Sequence, residues 1–147
     1  MTIAPEAPTA LRHGKDLVDP ELFDKLCGFL VEEYNVDAAT APAVMDQGLA
    51  FLYTMGVTGK GDIMAPSTHV DPAWHTFMLH SGPYTDWCNK HFGRYLHHAP
   101  NSKTRTVGLM YNVTDWIREQ EFEVIPALWG QAAECNESAC CGDGGCC

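Results

Sequence analysis

The sequence predicts an all-α protein: a small bundle of about five helices with a flexible, Cys/Gly-rich C-terminal tail. Three observations predict it. Apolar residues recur at helical spacing in several separate stretches. Asp-Pro starts and Gly or Pro stops bracket those stretches. No alternating run indicates paired strands, and there is no internal repeat. The chain has 147 residues, 46% of them hydrophobic, enough for one domain with a real core.

Residues 1–18 are rich in Pro and Ala and read as a loose N-terminal arm. A helical domain is expected over 19–130. Asp19-Pro20-Glu21 combines an Asp cap, Pro at the first helical position and an acid in the first turn. Leu22, Phe23, Leu26, Phe29, Leu30 and Tyr34 then follow at helical spacing to about Asn35. Thr40 is a second cap, for a helix whose apolar face is Val44, Met45, Gly48, Leu49, Leu52 and Tyr53 and which stops at Gly56. Residues 57–68, with Gly59, Gly61 and Pro66, read as a loop. Asp71-Pro72 repeats the Asp-cap signal for a third helix to about His80. A fourth starts at Ser81-Gly82-Pro83 and ends at Gly93. A fifth lies within 102–119, around Val107, Leu109, Met110, Val113, Trp116 and Ile117. Residues 121–125 are an extended link, and Pro126 opens a last turn through Trp129.

The net charge is −10, and no Lys or Arg follows Arg118. An acidic surface works against nucleic-acid binding, which needs cationic side chains to displace phosphate counterions. It suits cations or a basic protein partner. No apolar run has the length of a membrane span, and the N-terminus shows no secretory signal pattern. The expected compartment is the cytoplasm, where clustered cysteines read as metal-binding before they read as disulfides.

The chemistry is concentrated in two places. The first is a histidine-rich block, residues 69–98. Asp71 and His75 are four apart and share a helix face, an arrangement in which a carboxylate orients an imidazole that binds metal. Cys88 and His91 are three apart and also share a face, and Tyr84 lies one turn before Cys88. His75, Cys88, His97 and His98 are candidate metal ligands, with Asp71 and Tyr84 behind them. The plainer reading makes these residues core, beside Trp74, Phe77, Trp87 and Leu96. The block contains no metalloprotease helix motif, no Cys-x-x-Cys pair and no Gly-rich phosphate loop.

The block resembles a family of small proteins, many of them bacterial, known as glycine-rich domain-containing proteins and related to the plant glycine-rich-domain proteins. The likeness lies in Asp71-Pro-Ala-Trp74-His75, Tyr84, Cys88, Phe92-Gly93 and His97-His98-Ala-Pro100. It covers roughly residues 45–147. It implies an all-helical domain and carries over Trp74, His75, Tyr84, Cys88 and His98 as motif positions; it implies little about chemistry.

The second place is the tail, 131–147. Five of the seven cysteines, Cys135, Cys140, Cys141, Cys146 and Cys147, fall in the last thirteen residues. Adjacent cysteines do not suit a zinc ribbon, which prefers pairs two residues apart. They suit soft or clustered thiophilic ions such as Cu(I). The leading expectation is therefore a protein that binds Zn or Cu through its thiolate tail, with a second His/Cys site in the helical domain. One alternative is a ribosomally made precursor or scaffold peptide whose terminal cysteines are modified by a partner enzyme. Another is a small enzyme using Cys88 with His75 or His98.

Overall fold

A computed structural model describes residues 9–61, 63–98 and 107–129, and it is all-helical. A one-turn 3-10 helix, Gly14–Leu17, precedes α1 (Pro20–Tyr34), α2 (Ala41–Thr58), α3 (Asp71–Leu79), α4 (Ser81–Phe92), α5 (Val107–Glu119) and the short α6 (Pro126–Trp129). Among the described residues, no helix is long and apolar enough to cross a membrane.

The centre of the bundle is α2, which packs against α1, α3, α4, α5 and the 3-10 turn. It is buried almost all round, from Val44 to Met55, as expected of a helix that is apolar on every side. Close approach to α3 depends on Gly48. A Cβ built there would lie 2.4 Å from the Cβ of Ala73, so no larger residue fits without the helices separating. The contact turns Ala73 inward. It also fixes the azimuth of α3 and thereby the direction in which the flanking Asp71 and His75 point.

The helix ends follow the sequence signals with two shifts. The Asp19 carboxylate accepts from Leu22 N at 2.8 Å and caps α1 as expected. Helix α2 continues past Gly56 to Thr58 and stops at Gly59, whose φ of 67° is left-handed. At α3 the difference has consequences. Asp71 is the first helical residue, and Val70 occupies the cap position without a side-chain bond. A turn from Ser67 prepares this start: Asp71 N donates to Ser67 O at 2.9 Å. The Asp71 carboxylate is thus not used in capping.

Residues 9–18, expected to be part of a loose arm, are held against the bundle. Arg12 pairs with Phe122 as a parallel β-bridge, and its guanidinium lies 4.7 Å from the Tyr53 ring centroid and 4.3 Å from that of Phe122. Lys15 N donates to Asp46 Oδ1 at 2.9 Å, and Trp87 Nε1 donates to Leu17 O at 3.0 Å.

Under this arm lies His91, ringed by Tyr53, Trp87 and Phe92. Its Nε2 is buried and makes no hydrogen bond. Burial lowers its pKa, and Lys90 and Arg12 add to the effect against an opposing bond to the Leu17 backbone. A histidine held neutral in the folded state binds fewer protons than in the unfolded chain, so stability falls with pH. The loss should start near the unfolded value of about 6.5 and continue down to the depressed folded value. Urea unfolding at stepped pH should show a shallower acid loss in His91→Gln than in the parent; identical acid limbs would exclude this origin.

Candidate metal centre

Three side chains from two parts of the chain aim at one point. His75 Nε2 is 3.0 Å from His98 Nε2. Asp71 Oδ2 is 3.6 Å from His75 Nε2, and Asp71 Oδ1 is 3.7 Å from His98 Nε2. Among the described residues they form a group of donors mutually within 4.8 Å.

The local sequence explains each position. Asp71 and His75 stand one turn apart on α3, and the carboxylate sits in the first turn, where the helix dipole favours it. His98 arrives from the other side of α4. Gly93 ends α4 with a left-handed φ of 66°, and the chain turns back along the helix. Arg94 donates to Gly56 O at 3.0 Å. Leu96 is buried, and its carbonyl accepts from the Tyr84 hydroxyl at 2.7 Å. That hydroxyl also accepts from Trp74 Nε1 at 3.1 Å. The Trp74 ring lies against His98, centroids 4.2 Å apart. One fully buried phenol therefore ties the indole that backs His98 to the segment that carries it.

The donor set is chemically suited to a first-row transition ion. Imidazole nitrogen and carboxylate oxygen are zinc donors at about 2.0–2.2 Å. Separations of 3.0, 3.6 and 3.7 Å fit donors spread around a point about 2 Å from each. Without an ion, two imidazole nitrogens at 3.0 Å can share only one proton between them. Asp71 Oδ1 is buried and accepts no hydrogen bond. A buried carboxylate oxygen without a donor is costly, and an ion between the three groups would resolve that.

The other sequence candidates are placed apart from this group. Cys88 is fully buried; burial pushes its thiol pKa up, against bonds to the Leu96 backbone and Tyr84. It is held as the thiol, a poor nucleophile. His97 is exposed, its ring 4.7 Å from Tyr95. Tyr84 serves as the tie just described, with its hydroxyl pKa raised far by burial. Cys135, Cys140, Cys141, Cys146 and Cys147 lie outside the described residues. Asp71, read from sequence as orienting His75, faces both imidazoles directly. Sequence reasoning did not find Tyr34, the last residue of α1, whose ring centroid is 6.5 Å from that of His75. Burial raises its pKa, with Asp71 and Glu33 adding to the shift. Its helical spacing marked it only as core.

The UCP032817-like family model matches residues 18–110, well over half of the chain. The chain belongs to the UCP032817-like family. The family span contains α1 to α4 and all three converging donors, and it ends before the tail cysteines. No curated protein and no solved structure matches the chain.

The Tyr84 tie makes a prediction. Tyr84→Phe keeps the ring but leaves Trp74 Nε1 and Leu96 O unpaired. We expect a stability loss of about 1–3 kcal/mol and a metal affinity lowered about 10–100-fold, as for other residues that orient a ligand. Calorimetry of zinc binding and thermal unfolding of the metal-free form measure the two effects. A stability loss with unaltered affinity would show that the phenol does not orient His98.

Proposed function

We propose that this protein binds a transition-metal ion, and that its folded centre, Asp71, His75 and His98, holds one divalent ion, zinc in the first instance. One observation carries the reading: two imidazole nitrogens and a carboxylate converge, and the carboxylate oxygen facing His98 is buried without a hydrogen bond. Neutral imidazole also suits Cu(II), which binds such sites more tightly than Zn(II) when both are supplied. The net charge of −10 favours cation capture. The tail cysteines belong to the same proposal as a second, softer thiolate site for Cu(I) or Zn(II).

The test separates the two sites. A chain carrying Cys135→Ser, Cys140→Ser, Cys141→Ser, Cys146→Ser and Cys147→Ser is loaded with Zn(II), desalted and weighed by native mass spectrometry beside the parent. The serine chain should retain one ion, and the parent should carry more. An empty serine chain would refute the folded centre and leave only the tail. Equal content in both chains would refute the tail.

A further inference from the structure

We infer that the ion held by Asp71, His75 and His98 keeps an exchangeable coordination position on its His75 side, and that this position takes water or a small neutral nitrogen or oxygen donor in preference to phosphate. The inference rests on the metal reading above.

Donor number is the first argument. Zinc sites with four protein ligands are closed, whereas sites with three keep a place for water or substrate. Among the described residues only three donors converge. Nearby alternatives are engaged elsewhere. His80 Nδ1 is paired with Thr76 O at 2.7 Å, and its ring meets Phe29 edge-on. Cys88 is buried against Tyr84 and the Leu96 backbone. His97 is exposed beside Tyr95.

Exposure gives the direction. The His98 side chain is 10% exposed, backed by Trp74, while His75 is 36% exposed and Asp71 28%. The uncovered side of the ion is therefore the one bounded by His75 and Asp71, where Tyr34 stands.

Charge gives the preference. A dication bound to one carboxylate and two neutral imidazoles keeps a single net positive charge. Beside it lies the C-terminal end of α1, which carries partial negative charge: Tyr34, its last residue, stands against His75, and the Glu33 carboxylate acts with Asp71 on the Tyr34 hydroxyl. The chain as a whole is strongly acidic. A dianion meets repulsion there that a neutral donor does not.

Co(II) is the probe, because its visible absorption reports coordination number and donor type. The parent and the five-serine chain are loaded with one equivalent and titrated separately with imidazole and with inorganic phosphate. Imidazole should shift the bands saturably, at about tenfold lower concentration than phosphate, with cobalt still on the protein after desalting. Bands that imidazole does not move would overturn the open position. Phosphate acting at equal or lower concentration would overturn the preference. A thiolate-to-cobalt band in the parent alone, insensitive to imidazole, would place a tail cysteine in the fourth position and likewise refute the inference. Cobalt that keeps its free aqueous spectrum with the five-serine chain would instead mean that the folded centre binds nothing, and both readings would fall.

Discussion

His98→Ala should weaken zinc binding to the five-serine chain by more than about 100-fold, beyond the loss expected for residues that merely orient a ligand. Removing this imidazole takes away one of three donors, and it is the one that brings a second segment of chain to the ion. The remaining pair, Asp71 and His75, lies on a single helix turn and resembles many exposed i,i+4 pairs that hold no metal. The fold should survive. His98 follows the last buried residue of its segment, Leu96, and the Tyr84 bond to Leu96 O does not involve the imidazole. We expect the metal-free variant to lose about 1 kcal/mol, an ordinary value for a single substitution. Competition against a chromophoric chelator measures the affinity, and urea unfolding measures the stability. Asp71→Asn is a useful companion, since it keeps the shape and removes the charge. Affinities within a few-fold of the parent for His98→Ala would rule out the centre as drawn.

The largest stability effect is expected at Gln47, which is fully buried on α2. Its Nε2 donates to Glu123 O at 2.9 Å and Asp46 Oδ2 at 3.1 Å. Its Oε1 accepts from Ile125 N at 3.0 Å and Trp129 Nε1 at 2.9 Å. One amide thus fastens the link after α5 and the last residue of α6 to the central helix. Gln47→Leu preserves the volume but strands Glu123 O, Ile125 N–H and Trp129 Nε1–H inside the protein. Unsatisfied buried groups cost about 1–3 kcal/mol each, and local relaxation will relieve part of that. A net loss of about 3–5 kcal/mol is the expected result, read from urea midpoints. A loss below about 1 kcal/mol would mean that water or a repacked segment takes over the bonds.

Helices α1 to α4 were legible because their signals are local. Asp19-Pro20 caps what it should, and Gly93 stops what it should. The misplaced end of α2 has a clear cause: a mid-helix glycine and a terminal one look alike in sequence, and Gly56 is buried within the helix whereas Gly59 takes the left-handed turn. Gln47 was not legible, because the partners it holds in the later segment are 76 to 82 residues away. The candidate metal centre was half legible. Periodicity puts Asp71 beside His75, but nothing local brings His98 to them across 23 residues. That meeting depends on the buried Tyr84 hydroxyl and on the return of the chain after Gly93. The role of Asp71 was obscured by its resemblance to Asp19. The same dipeptide starts both helices, yet in α3 the cap lies one residue earlier and releases the carboxylate.

The separation of the two histidines has a mechanical consequence. His75 precedes α4 and His98 follows it, so an ion joining them would close a covalent-like ring around the whole helix. Cross-linking a loop of about this length can contribute roughly 3 kcal/mol by restricting the unfolded chain. Occupancy and thermal resistance of the α3–α4 hairpin would then be one quantity, and a chelator would act on this protein as a reducing agent acts on a disulfide-bonded one. The inner latch, Tyr84 to Leu96, needs no ion. Withdrawing the metal would loosen the hairpin at its mouth and leave its root closed.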